Sequence, residues 1–185
     1  MPGRGNVSNS DYGAELRKAM SWLAEKPDTL FLGQAVAYPG TAIFGTLGGV
    51  PIEKRLELPV AEDMQLGLCT GLALAGFVPI SIYPRWNFLL LATNQLVSHL
   101  DKLPIYSDGG YRPKVIIRTA VASRTPIDPQ SRRWGNCSDA FKLMLRTVEL
   151  VECVEADMIF PAYKRAYERQ DGRSTLIVEH TSRYA

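Results

Sequence analysis

Cysteine is scarce. The three cysteines of the chain, Cys69, Cys137 and Cys153, lie far apart and form no CxxC pair. A disulfide framework or a cysteine zinc site needs thiols in closer sets, so reduced thiols in a cytoplasmic protein are expected. Histidine is scarcer still: His99 and His180 are the only two, too few for a histidine-rich metal centre. His99 falls in a helical stretch and His180 ends a strand-like one, where surface, partner-facing or structural roles are expected. Neither sign of charge dominates, with 21 Lys and Arg against 19 Asp and Glu. Nucleic acid and anionic membranes therefore have no claim as the main partner. Long apolar runs are missing too. The longest stretch, from Leu66 to Tyr83, is interrupted by Thr70, Pro79, Ser81 and three glycines, whereas a membrane span needs about 20 predominantly apolar residues. The opening Met-Pro-Gly-Arg-Gly-Asn carries no apolar signal core. The sequence has no GxxxxGK[ST] phosphate loop, no GxGxxG fingerprint and no GxSxG elbow. Gly45-Thr-Leu-Gly48-Gly49 has neither the spacing nor the following helix of a phosphate loop and reads as a turn.

What is present suits one globular domain. The chain has 185 residues, 46% hydrophobic and 22% charged, enough for a full core. A flexible polar tail is expected over residues 1–10 and a single domain over 11–185. Ser10 or Asp11 is a candidate cap for a helix with Leu16, Met20 and Leu23 on one face. Strand-type runs follow at Leu30–Leu32 and Leu56–Pro59, on either side of a Gly-rich loop. A helix is predicted over Asp63–Ala75, a strand over Pro79–Tyr83 and a long apolar helix over Trp86–Leu103. The clearest strand covers Lys114–Val121. After a Pro-, Ser- and Arg-rich loop (122–137) come a helix (138–147), a strand (150–154), a helix after Pro161 and a last strand at Thr175–Glu179. Strands alternating with helices predict an α/β fold, a three-layer α/β/α sandwich around a mostly parallel sheet. Such sheets bind ligands beyond the carboxyl ends of their strands, so loops that follow strands rank first as site candidates.

One block stands out. Leu56-Glu57-Leu58-Pro59-Val60-Ala61-Glu62-Asp63 ends a strand on acids that open a helix, and a second strand runs into Pro84-Arg85-Trp86-Asn87-Phe88. In a parallel sheet this spacing brings a carboxylate and aromatic faces to one edge. Two readings stay open on the residues alone. In the first, the edge is a site. In the second, Glu62 and Asp63 merely favour the helix N-terminus electrostatically while Trp86 and Phe88 fill core.

From about Gly33 to Tyr184 the chain resembles the pyrimidine-binding domain of thiamine-diphosphate enzymes. It is most similar to the beta subunits of pyruvate and branched-chain 2-oxoacid dehydrogenases, within the wider transketolase group. Those subunits carry a pattern close to D-T-P-I-S-E, a small-residue helix ending A-G-x-x-P, then F-x-x-F-N-F. The same register here reads Glu57-Leu-Pro-Val-Ala-Glu62, Ala75-Gly76-Phe-Val-Pro79 and Tyr83-Pro-Arg-Trp86-Asn87-Phe88, without a gap. Val115-Ile-Ile-Arg118 and Leu176-Ile-Val-Glu179 follow in the expected order.

The resemblance implies thiamine diphosphate as cofactor, with Mg2+ held mainly by a partner subunit. It gives Glu62 the catalytic role: hydrogen bonding to the aminopyrimidine N1′, which favours the imino tautomer that removes the thiazolium C2 proton and forms the ylide. Phe88 would stack on the pyrimidine, and Val60, Pro84, Trp86 and Leu91 complete the implied cofactor-binding set. The sequence departs from the family in two respects. The family's Q-H-S-Q-like segment, whose histidine faces substrate, matches Asn136-Cys137-Ser138-Asp139 here, without the histidine. Cys137 is then a candidate substitute or an ordinary buried thiol, and Arg124, Arg132 and Arg133 are candidates for a substrate carboxylate or phosphate or a solvated loop. The other departure is extent. Beta subunits continue into a further domain, and the GDG…N signature of the diphosphate domain does not occur in this sequence. A separately encoded diphosphate-binding subunit and a heterotetramer are therefore expected.

Three functions follow. The leading one is a catalytic subunit acting on a 2-oxo acid or ketose, by decarboxylation or by ketol or acyl transfer. The alternative is a non-catalytic regulatory or interaction subunit that keeps the fold. The third is an unrelated α/β small-molecule binder.

Overall fold

The computed structural model describes residues 9–123 and 135–184. Helices of 4 to 16 residues alternate with short strands, as the apolar patterning predicts. Helix α1 (Asn9–Ala24) buries Leu16, Met20 and Leu23 and leads to β1 (Thr29–Gly33). Strand β2 (Arg55–Glu57) precedes α2 (Glu62–Leu74) and β3 (Val78–Ile82). Helices α3 (Trp86–Leu89) and α4 (Leu103–Tyr106) flank two further helical segments and are followed by β4 (Ile116–Val121). The chain continues with α5 (Ser138–Met144), β5 (Glu149–Glu152), α6 (Ala156–Glu168) and β6 (Thr175–His180).

The six strands form one sheet in the order β2-β1-β3-β4-β6-β5, and every pairing is parallel. Alternating strand residues divide the core in two. Phe31, Ile80, Ile82, Ile116 and Ile177 pack under α1 and α6. Leu32, Ile117, Leu176 and Val178 pack under α2, the helical segments of 86–100 and α5. The result is the three-layer α/β/α sandwich expected from the sequence.

The order of strands fixes where a ligand can sit. From β1 the chain turns outward to β2, whereas from β3 it proceeds the other way to β4. Between the carboxyl ends of β1 and β3 the connections therefore diverge, which opens a crevice at a topological switch point. Gly33 closes β1 there. A Cβ on Gly33 would lie 2.5 Å from the Ile82 carbonyl oxygen, so only glycine lets β1 and β3 approach this closely. Gly33→Ala is expected to cost about 1–3 kcal/mol, the usual range for overpacking, measured as a lower urea midpoint.

Two elements differ from expectation. The predicted helix over Trp86–Leu103 is segmented: α3 runs into a 3₁₀ turn at Leu90–Ala92 and then a π-helix at Gln95–Leu100. Leu89, Ala92, Leu96 and Leu100 still face the core, which is why the apolar spacing reads as one helix. The π turn, closed by Asp101 N–H on the Leu96 carbonyl at 2.9 Å, brings Asp101 inward. Its carboxylate then accepts the backbone N–H groups of Arg146, Thr147 and Val148. The other difference is α6, which begins at Ala156, ahead of the expected start, and contains Pro161. Pro161 lies past the first turn, where it cannot donate an i→i−4 bond, yet the helix continues to Glu168.

Burial alone would raise the proton affinity of Asp101, but the bonds from Lys102, Val148, Thr147 and Arg146 outweigh it and hold the carboxyl below its ordinary range. A depressed folded-state value contributes stability above the unfolded-state value of about 3.9 and loses it as pH falls through the folded value. Asp101→Ala is expected to be less stable than wild type at neutral pH, by about 1–3 kcal/mol. That gap should narrow below about pH 4, as read by urea unfolding across pH.

Candidate functional site at the switch point

Glu62 is the first residue of α2 and is only 4% exposed. Three contacts fix it beside the crevice. The Gln34 side chain, one residue past β1, donates Nε2–H to Glu62 Oε1 at 3.1 Å. The Tyr83 hydroxyl, one residue past β3, donates to the Glu62 backbone carbonyl at 3.2 Å. One turn further along α2, buried Gln65 donates through Nε2 to Ser81 Oγ at 3.1 Å and to the Ile82 carbonyl at 3.0 Å. The N-terminal turn of α2 is thereby tied to the ends of both strands that border the switch point. Burial, above all, pushes the Tyr83 hydroxyl far up, so it stays a neutral donor.

Glu57 acts one step further back. Its carboxylate accepts the backbone N–H groups of Ala35 at 2.6 Å and of Val36 and Ala37 at 2.8 Å each. Three consecutive N–H groups converging on one carboxylate form an anion-binding nest. Ala35 adopts a left-handed φ of 53° to make it, an uncommon state for a residue with a Cβ.

The remaining predicted cofactor residues fall in two groups. Val60 and Leu91 are 76% and 62% exposed, apolar side chains left uncovered among the described residues. Phe88 is half-buried, and the Arg85 guanidinium lies 4.8 Å from its ring centroid. Trp86, at 1% exposed, points inward and packs on Phe141 with ring centroids 5.0 Å apart. Its indole Nε1 is buried and has no hydrogen-bond partner among the described residues. Pro84 is buried and borders a cavity of about 260 Å³, which also touches Thr41, Ile43, Arg85, Ser123 and Thr181. That cavity spans the carboxyl ends of β3, β4 and β6.

Cys137 is half-buried just before α5, and burial pushes its thiol up, away from the thiolate that a nucleophile needs. Arg124, Arg132 and Arg133 lie outside the described residues. His180 ends β6 and pairs through Nε2 with Glu152 Oε1 at 3.0 Å, an oxygen that also accepts Asn136 Nδ2–H at 2.6 Å. His99 lines a surface groove between α2 and the π-helix, together with Gly67, Thr70, Gln95 and Tyr106. Among the described residues no group of three or more His, Cys, Asp or Glu is placed to hold a metal ion. No helix among them is long and apolar enough to cross a membrane.

Sequence reasoning singled out Glu62 but missed Gln34, Glu57 and Gln65 as its supports. Glu57 was visible only as the first residue of the motif, and Gln34 and Gln65 carry no local pattern.

No protein-family model matches the chain. The pyruvate dehydrogenase E1 component subunit beta of Chaetosphaeridium globosum is 30% identical over 95 residues, which is 50% of this chain and 29% of that protein. The 3-methyl-2-oxobutanoate dehydrogenase subunit beta of Mycobacterium tuberculosis is 31% identical over 100 residues, 52% of this chain and 28% of the relative. The chain thus matches well under half the length of these relatives. Among solved structures, a split-gene transketolase described as an inactive beta4 tetramer superposes with TM-score 0.64 at 17% identity, over 91% of this chain and 50% of the other. A thiamine diphosphate-dependent 4-hydroxybenzoylformate decarboxylase of Rhodococcus jostii gives 0.63 at 16% identity, over 92% and 31%. The chain therefore has the thiamine-diphosphate-binding fold, and its sequence likeness is to 2-oxoacid dehydrogenase beta subunits, as the motif register implied.

Proposed function

We propose that this chain is the pyrimidine-binding subunit of a split thiamine-diphosphate-dependent enzyme acting on a 2-oxo acid or ketose. The observation that carries the proposal is Glu62: a buried carboxyl at the switch point, in register with the family's cofactor-activating glutamate. When bound, thiamine diphosphate supplies a carbon nucleophile and an electron sink.

The residues present fit the pyrimidine end of that cofactor. Glu62 offers a carboxyl that can accept or return a proton at a ring nitrogen, in a place where little water competes. Phe88 offers a ring for stacking. Because Arg85 covers one face of that ring, a stacked ligand uses the other. Val60 and Leu91 present apolar surface that a planar ring and a second subunit would cover. Pro84 limits how deep the ring can go, and Trp86 supports the turn from beneath.

A diphosphate-binding subunit would supply Mg2+ and the other half of the cofactor pocket, in a heterotetramer with active sites at subunit interfaces. Mg2+ is assigned to that partner on the resemblance to 2-oxoacid dehydrogenase beta subunits. The test is co-expression with the product of an adjacent reading frame carrying GDG…N. Thiamine diphosphate binding by calorimetry and turnover of a panel of 2-oxo acids and ketoses are then measured. Binding and turnover by the pair, with neither by this chain alone, are expected. A pair that binds the cofactor but turns over no substrate would favour a regulatory subunit.

A further inference from the structure

Glu62 has to stay in one place while its charge changes, and a carboxylate and a carboxylic acid ask for opposite partners. A carboxylate accepts hydrogen bonds only, whereas the protonated form also donates. The side chain on Glu62 Oε1 is an amide, that of Gln34. An amide has both an N–H donor and a carbonyl acceptor, and a half-turn about its last bond exchanges them. A second carboxylate in its place would repel the ionised form, and an apolar residue would hold neither form.

The amide would be a poor clamp on a loose loop. Gln34 directly follows β1 and directly precedes the nest at Ala35–Ala37, whose three N–H groups close on Glu57. A carboxylate accepting three backbone N–H bonds is strongly held. Glu57 also fixes the left-handed turn at Ala35, which local preference would not choose. The segment that carries Gln34 is therefore pinned on one side by the β1 ladder and on the other by Glu57.

We propose that Gln34 is the positioning residue for Glu62, holding its carboxyl in both protonation states, and that Glu57 acts through Gln34 by fixing the nest. The amide coupling is a property of this chain alone, while its catalytic meaning rests on the function proposed above. Among the described residues, Tyr83, one residue past β3, reaches Glu62 through a hydroxyl that burial keeps neutral, and the charges of Glu62 and the neighbouring Asp63 both act on it.

The side-chain amide signals of the 15N-labelled full chain test the coupling directly. The Gln34 amide is expected to shift with pH, and that shift is expected to disappear in Glu62→Gln. An amide that does not respond to pH, or responds equally in Glu62→Gln, overturns the inference. In Glu57→Gln, where a neutral amide replaces the nest's anion, the Gln34 signal is expected to broaden or split. An unchanged signal removes Glu57 from the proposal.

If Glu57→Gln does not fold, Gln34→Leu and Gln34→Glu decide the matter in the assembled enzyme. Each is expected to lower turnover roughly ten- to a hundredfold, the range that a hydrogen bond to a charged group supports, with KM within about twofold. Gln34→Glu should in addition change the acid limb of the pH–rate profile, which a merely structural loss would leave in place. Wild-type turnover and an unchanged acid limb overturn the inference. Glu62→Gln separates the two failures. If it leaves turnover intact, the proposed function fails while the amide coupling stands.

Discussion

Glu62→Gln is expected to lower turnover of the assembled enzyme by roughly 10²- to 10⁴-fold, the usual contribution of a positioned proton-transfer group. The substitution keeps the shape and the hydrogen-bonding length of the side chain and removes only its ability to exchange a proton. Gln34 can still pair with the new amide after a half-turn, and the Tyr83 bond to the backbone carbonyl of residue 62 is untouched. Stability should consequently change by no more than about 0.5 kcal/mol. Cofactor binding should weaken far less than turnover, because the proposed stacking on Phe88 and apolar contacts of Val60 and Leu91 would remain. Steady-state kinetics with calorimetric binding on the same preparation separates the two effects.

The second large effect is on stability. Arg118 on β4 and Glu179 on β6 are both fully buried and form a bidentate pair, Nε to Oε1 at 2.8 Å and Nη2 to Oε2 at 2.9 Å. The Tyr163 and Tyr184 hydroxyls donate to the same carboxylate. Burial works against the charged guanidinium, but Glu179 outweighs it and pushes the Arg118 value further up. Arg118→Met leaves an uncompensated buried carboxylate and is expected to cost about 3–5 kcal/mol, against a total stability of about 5–15 kcal/mol. At this chain length that corresponds to roughly 6–20 °C in Tm. Arg118→Met with Glu179→Gln should recover much of the loss, because the tyrosines keep an acceptor and no net charge stays buried. The wild-type pair already has a cost: Arg118 Nη1 is buried without a hydrogen-bond partner among the described residues. A thermal-unfolding cycle over the four proteins measures the coupling.

The fold was legible because its two layers of helix leave plain periodic marks. Leu16, Met20 and Leu23 on α1, and the β-branched runs of β3, β4 and β6, are buried as their spacing requires. The segment after Trp86 misled because Leu89, Ala92, Leu96 and Leu100 suit one α-helix as well as a 3₁₀ turn followed by a π-helix; the tertiary bonds to Asp101 set the difference. Arg118 and Glu179 were hidden inside strands that read as apolar, since a pair 61 residues apart in sequence leaves no local trace. Glu62 stood out through its register with Pro79 and Phe88. Its supports did not, because Gln34 reaches it across 28 residues and only the parallel pairing of β1 with β2 and β3 brings them together.

The most direct measurement is the rate of hydrogen–deuterium exchange at C2 of thiamine diphosphate, followed by proton NMR in the assembled enzyme. If Glu62 activates the cofactor, exchange is faster in the wild-type pair than in free solution and falls by roughly 10²-fold or more in Glu62→Gln. Equal exchange rates in the wild-type and Glu62→Gln enzymes would contradict the assignment of Glu62, whatever the substrate proves to be.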